Sequence, residues 1–168
     1  GPGTVNFLAG TTILSGNNTY AGATNISAGA TAQFGNGGTT GLISGNVTNN
    51  GAMIVNLSSS ATYAGIISGS GTFEKAGSNT LSLTGTNTFI GGTTISSGTL
   101  RIGAGGTTGS ITGNIVNNSI LAFNRSDSFT FSNLISGTGS VDKSGAGTVT
   151  LTAANTYTGG TSVSQGTL

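Results

Sequence analysis

Apolar residues fall in short alternating pieces along the chain. Leu81-Ser82-Leu83, Leu100-Arg101-Ile102, Leu121-Ala122-Phe123, Phe129-Thr130-Phe131 and Val149-Thr150-Leu151 each carry two apolar side chains separated by one other residue. In an extended strand successive side chains point to opposite faces, so each piece offers one apolar face and one facing water. Gly and Asn interrupt the pieces every few residues and supply turns that need positive φ. No piece is long enough to be stable as an isolated hairpin. The pattern predicts an all-β chain whose short strands are completed by neighbours distant in sequence.

Those neighbours are announced by an internal repeat. Asn87-Thr88-Phe89-Ile90-Gly91-Gly92-Thr93-Thr94-Ile95-Ser96-Ser97-Gly98-Thr99-Leu100 recurs, at offset 68, as Asn155-Thr156-Tyr157-Thr158-Gly159-Gly160-Thr161-Ser162-Val163-Ser164-Gln165-Gly166-Thr167-Leu168. A weaker copy is Asn18-Thr19-Tyr20-Ala21-Gly22-Ala23-Thr24-Asn25-Ile26, at offset 69. Gly37-Gly38-Thr39-Thr40-Gly41 returns as Gly105-Gly106-Thr107-Thr108-Gly109, and Ile67-Ser68-Gly69-Ser70-Gly71 as Ile135-Ser136-Gly137-Thr138-Gly139. Within one unit Leu81, Leu100, Leu121 and Val149 follow one another at offsets of 19, 21 and 28. That spacing predicts three coils of about 23 residues per repeat, stacked as a right-handed parallel β-helix of about seven coils, its rungs about 4.8 Å apart. A propeller blade would repeat at about 40–50 residues, and a sandwich rarely repeats at all. Residues 4–168 are therefore read as one solenoid: a degenerate repeat 4–67, a repeat 68–135 and a partial repeat 136–168. Gly1-Pro2-Gly3 reads as a cloning scar, and the stop in mid-repeat at Gly166-Thr167-Leu168 as a cut from a longer protein.

Composition agrees. Gly, Thr, Ser and Asn make up 101 of the 168 residues, yet charged residues are only 4% and Pro occurs once. Disordered chains are usually charged and proline-rich; this one is β-branched and turn-rich. A formal net charge of +1 from four scattered cations gives no phosphate-tracking groove and no attraction to an anionic membrane. With no Cys and no His there is no disulfide framework, thiolate, imidazole ligand or Ser-His nucleophile. No run of about 18 apolar residues suggests a transmembrane helix.

Few residues remain for chemistry. The only acids are Glu74, Asp127 and Asp142. Glu74 and Asp142 are equivalent positions, about 14 Å apart if three rungs separate them, whereas paired glycosidase carboxylates stand about 5–9.5 Å apart. No catalytic, cofactor-binding or metal-ligating residue is therefore expected. Gly103 to Gly109 resembles a phosphate cradle but lacks the following Lys, and its counterpart Gly35 to Gly41 marks it as turn chemistry. Lys75 and Lys143 are expected at coil edges, discouraging edge pairing. Tyr20, Phe89 and Tyr157 are expected to stack as a core aromatic ladder, and Asn49-Asn50 and Asn117-Asn118 to form inward amide ladders. Spacing alone assigns Phe129 and Phe131 to neither face. Thr84-x-Thr86-x-Thr88 and Thr148-x-Thr150-x-Thr152 keep open a second class, a ligand- or ice-binding Thr-rich solenoid; a polysaccharide-processing solenoid is the third.

The run Gly69-Ser70-Gly71-Thr72-Phe73-Glu74-Lys75-Ala76-Gly77, then Thr80-Leu81-Ser82-Leu83-Thr84-Gly85-Thr86-Asn87-Thr88-Phe89, Gly91-Gly92-Thr93-Thr94-Ile95 and Gly98-Thr99-Leu100 resembles the autotransporter-associated β-strand repeat. A second copy runs Gly137 to Leu168, and a degenerate one Thr11 to Ile26, with Gly22-Ala23 in place of Gly-Gly and no Lys. The resemblance implies a passenger segment carried to the bacterial surface by an outer-membrane barrel elsewhere in a parent chain. It implies a rod-like spacer or adhesin scaffold that aids secretion and folding, with a host or sister-cell surface ligand as partner; charge and hydropathy give no nucleic acid partner and no membrane insertion of its own.

Overall fold

The computed structural model describes residues 1–168 as a β-solenoid of about eight turns with no helix. Every pairing between strands is parallel. The strands stack in three columns, one per face. The first holds Val5–Phe7, Thr24–Ile26, Val47–Asn49 and Ile67–Ser68. It continues through a single bridge, Thr86 to Ser110, into the slot filled by Phe129–Phe131 and Val149–Leu151. The second face is a seven-stranded sheet from Gly10–Leu14 through Thr72–Lys75 to Ile135–Ser136. The third is a six-stranded sheet from Ala61–Tyr63 through Ile120–Phe123 to Thr161–Val163.

Strand alternation builds the interior. On the second face Thr12, Ala32, Met53, Phe73, Thr93, Ile115 and Ile135 stand one above another. From Ala32 onward all of them are buried. On the third face Leu81, Leu100, Leu121 and Val141 do the same. Twenty-seven buried apolar residues join into one continuous core. Each large side chain in it is worth about 1.5–3 kcal/mol, which is how a chain only 34% apolar folds. The corners are stacked as well as the strands: 48 of the 87 backbone hydrogen bonds lie outside them, such as Thr84 N to Tyr63 O and Ile90 N to Gly69 O, both 3.0 Å.

The coil is shorter than the sequence spacing predicts. From Thr12 through Ala32, Met53, Phe73, Thr93 and Ile115 to Ile135, each partner on the second face lies 20 to 22 positions beyond the last. The repeat at offset 68 is therefore about three and a third turns, not three, and there are eight turns rather than seven. Leu121 stacks on Val141, while Val149 pairs with Phe129. The cause of the difference is Lys143, which occupies an inward position and breaks the apolar alternation of Val141-Asp142-Lys143.

The extra third of a turn moves each repeat to the next face. Val47–Asn49 lies on the first face and its counterpart Ile115–Asn117 on the second. Thr72–Lys75 lies on the second and Ser140–Lys143 on the third. Ala61–Tyr63 lies on the third and Phe129–Phe131 in the first-face slot. For the same reason Tyr20, Phe89 and Tyr157 form no ladder. Phe89 follows the first-face hydrogen bond of Thr88 N to Ile67 O, and Tyr157 sits between those of Thr156 and Thr158 to the second-face Ile135 and Gly137. Phe89 is fully buried against Phe73, ring centroids 5.9 Å apart, whereas Tyr20 and Tyr157 are half-buried, their hydroxyls meeting those of Thr24 and Thr161.

Candidate functional site

Two corner stacks, one repeat apart and rotated by one face, hold most of the unusual chemistry. Each starts with a glycine loop, Gly35 to Gly41 or Gly103 to Gly109. The next turn clamps the loop: Gly37 N donates to Asn56 O and Ser58 N to Gly38 O, as Gly105 N does to Asn124 O and Ser126 N to Gly106 O. Above it lies a tight corner at Gly77 or Gly145. A Cβ on Gly77 would fall 2.1 Å from Leu57 O, and one on Gly145 2.2 Å from Arg125 O, so only glycine allows the turns to close up.

Lys75 and Lys143 complete these corners from inside. The expectation that they sit at coil edges is overturned: both are 0% exposed. In their strands they alternate with Phe73 and Val141, and the same parity that buries those residues buries the lysines. Lys75 Nζ donates to Gly77 O in its own corner and to Ser97 O in the next turn, the latter at 3.2 Å. Lys143 Nζ donates to Gly145 O and, at 3.1 Å, to Gln165 O. Each ammonium ties two successive turns together without a carboxylate partner. Burial pushes the Lys75 amine down to about 8 and moves Lys143 the same way.

Arg125, which the sequence offers only as a scattered cation, is 8% exposed in the middle layer of the second stack. Its NH1 and NH2 donate to Gly109 O and Thr107 O, closing the glycine loop. Nε and NH2 grip Asp127 at 2.9 and 2.7 Å, and Cζ lies 4.6 Å from the centre of the Phe129 ring. The hydrogen bonds from Arg125 hold the Asp127 carboxyl below its usual range. The spacing Arg-x-Asp-x-Phe is the available signal, since burial alternates from residue 125 to 131 although Arg125 and Asp127 lie between strands. Phe131, also open at the sequence level, is buried at 2%, and Phe129 is half-buried.

The remaining candidates are scattered. Glu74 lies on the second face, accepting from Ser96 Oγ at 2.6 Å, and Asp142 on the third, so they do not share a face. Asn49 and Asn117 are buried, but no amide ladder forms. Asn49 Nδ2 donates to Thr72 O and its Oδ1 accepts from Gly51 N; Asn117 repeats this with Ser140 O and Ser119 N. Asn50 and Asn118 are exposed and accept from Ser70 N and Thr138 N in the next turn. The two candidate Thr motifs do not stack on one another either: Thr86 bridges Ser110, and Thr150 pairs with Thr130 in the first-face slot. The outward row of the third face reads Thr62, Ser82, Arg101, Ala122, Asp142, Ser162.

Three stretches of the chain, residues 9–31, 73–102 and 141–168, match the family described as Passenger-associated-transport-repeat. The chain carries passenger-associated transport repeats. The second and third matches span the Lys75 and Lys143 corners; the first covers the degenerate copy, which has no Lys. The chain is also 41% identical over 156 residues to the Adhesin BmaC autotransporter of Brucella suis biovar 1 (strain 1330). That similarity covers 80% of this chain but 4% of the relative's length. No solved structure matches.

Proposed function

We propose that this chain is a structural segment of an autotransporter passenger: a rod that spaces and displays other regions at the bacterial surface and helps draw the passenger out as it folds. The observation that carries it is the coil-on-coil ladder built from transport repeats. Each turn is hydrogen-bonded to the turn before it and the turn after it, so the rod can grow one turn at a time. The lysine corners suit that growth, because Lys75 and Lys143 each hold the turn that follows them. In this reading the segment performs no catalysis and takes no cofactor. A barrel elsewhere in the parent chain anchors it in the outer membrane, and its partner is a ligand on a host or sister cell.

Serial truncation from the C-terminus, one turn at a time, tests the growth mechanism. Shorter rods are expected to keep a β-type far-UV spectrum and to lose stability by steps. A chain that folds only at full length refutes turn-by-turn growth. Deleting 73–102 in a barrel-bearing parent is expected to reduce the amount of passenger reaching the cell surface; unchanged display refutes the secretion role.

A further inference from the structure

Arg101 is the one arginine whose hydrogen-bonding capacity the fold leaves open. Arg125 spends all three guanidinium nitrogens on Asp127, Gly109 and Thr107. Arg101 spends only Nε, on Ser82 Oγ at 2.9 Å, and this bond holds the guanidinium over the buried Ser82. It lines a solvent-open recess of about 250 Å³ on the third face with Ser60, Ala61, Thr62, Thr80 and Ser82. The hydroxyls of Ser60, Thr62 and Thr80 bond no protein group, whereas Ser59, Ser68, Thr84, Thr112 and Ser136 tie down carbonyls of the preceding turn. No acid lines the recess. Asp142, the acid in the same outward row, stands two turns from Arg101, about 10 Å along the rod.

We propose that this recess binds a saccharide bearing a carboxylate. The free guanidinium edge takes the carboxylate through two parallel N–H···O bonds, a geometry a point-charge amine does not supply. The three free hydroxyls take ring hydroxyls of the sugar. The volume is below the about 300–1,000 Å³ of ordinary small-molecule pockets and suits one sugar ring. The proposal rests on the surface-display reading for its biological sense, but its test uses the purified chain and is independent of secretion.

The isotope-labelled chain is titrated in separate arms with sialyllactose, a glucuronate-terminated disaccharide, lactose and acetate, following amide shifts and the Arg101 Nε–H signal. Saturable shifts at Thr62, Thr80, Ser82 and Arg101 are expected for at least one acidic sugar, with Kd on the order of 1 mM, and none for lactose. Whichever acidic sugar binds identifies the source of the carboxylate. Arg101→Gln is expected to weaken binding at least about tenfold and Arg101→Lys to restore little of it. Thr80→Val, which leaves Arg101 in place, is expected to weaken the sugar alone. Shifts with lactose, no shift with either acidic sugar at about twenty times that concentration, unaltered affinity in Arg101→Gln, or acetate binding as tightly as the sugars overturns the proposal.

Discussion

The Leu57 corner and the Arg125 corner occupy the same place in successive repeats and close the same glycine loop by different chemistry. In the first, Leu57 is buried at 1% and fills the space above Gly35. The loop carbonyls there are satisfied by two other residues: Asn18 Nδ2 donates to Gly41 O at 2.7 Å, and Ser59 Oγ to Thr39 O at 3.2 Å. In the second, Arg125 fills the space above Gly103 with its stem and satisfies Gly109 O and Thr107 O with its head. The charge this introduces is met by Asp127 where the first corner has Ser59, and by Phe129 where it has Ala61. The backbone tolerates either plug provided both loop carbonyls find donors and any buried charge finds a partner. Conservation of shape here is conservation of satisfied carbonyls, not of residue type.

The largest effect is expected from forcing the second solution on the first corner without its partners. Leu57→Arg buries a guanidinium beside Ser59 and Ala61, with no carboxylate to meet it. An uncompensated buried charge costs about 3–5 kcal/mol. Adding Ser59→Asp and Ala61→Phe is expected to recover most of that. Urea unfolding of the single and triple variants measures it; a triple variant no more stable than the single one shows that the two corners are not interchangeable.

The converse exchange is milder. Arg125→Leu leaves the carbonyls of Thr107 and Gly109 without donors, at about 1 kcal/mol each, while filling the same space. The double variant with Asp127→Ser is expected to regain part of this, because Ser59 shows a serine reaching the corresponding carbonyl. Equal stability of the single and double variants, by the same unfolding measurement, removes that explanation.

Both stacks share the lysine corner, so pH acts on them alike. The unfolded chain holds the Lys75 proton up to about 10.5, while the folded chain releases it at about 8. Between these values folding expels a proton, and stability is expected to rise with pH. Lys143 shifts in the same direction. Above about 10 the buried Tyr63 opposes the rise, since its phenol stays protonated in the fold and ionises in the unfolded chain. Denaturation midpoints at pH 7, 8, 9 and 10 check this; Lys75→Met with Lys143→Met is expected to flatten the curve.

Much of this is legible from sequence, and what is not has one cause. Alternation marks the strands, the recurrence at offset 68 marks the stacking, and glycine pairs mark the corners. Polar residues on the inside, however, look like outside residues. Lys75 and Lys143 therefore look like edge residues, Val141-Asp142-Lys143 is not counted among the pieces that set the coil spacing, and the third of a turn between Val141 and Val149 goes uncounted. Arg125 is hidden because its burial depends on the glycine-loop carbonyls of the turn before it and on a part-exposed Asp127 beside it, neither of which alternation shows. Hydropathy patterns register which side chains can avoid water, whereas these cations are held inside by backbone carbonyls that composition does not show.

The smallest expected effect isolates the weaker half of the comparison. Ser59 is one of the two donors replacing the arginine, and its bond to Thr39 O is long and solvent-exposed at 3.2 Å. Water can take over an exposed acceptor, so Ser59→Ala is expected to cost no more than about 0.5 kcal/mol. Asn18→Ala removes the shorter, partly buried bond to Gly41 O and is expected to cost about 1 kcal/mol. If Ser59→Ala proves the more damaging of the two in urea unfolding, the first corner is held at Thr39 rather than Gly41. The guanidinium of Arg125 would then match the serine more closely than the asparagine, and the exchange that restores the second corner would need Asp127→Ser rather than a donor reaching Gly109.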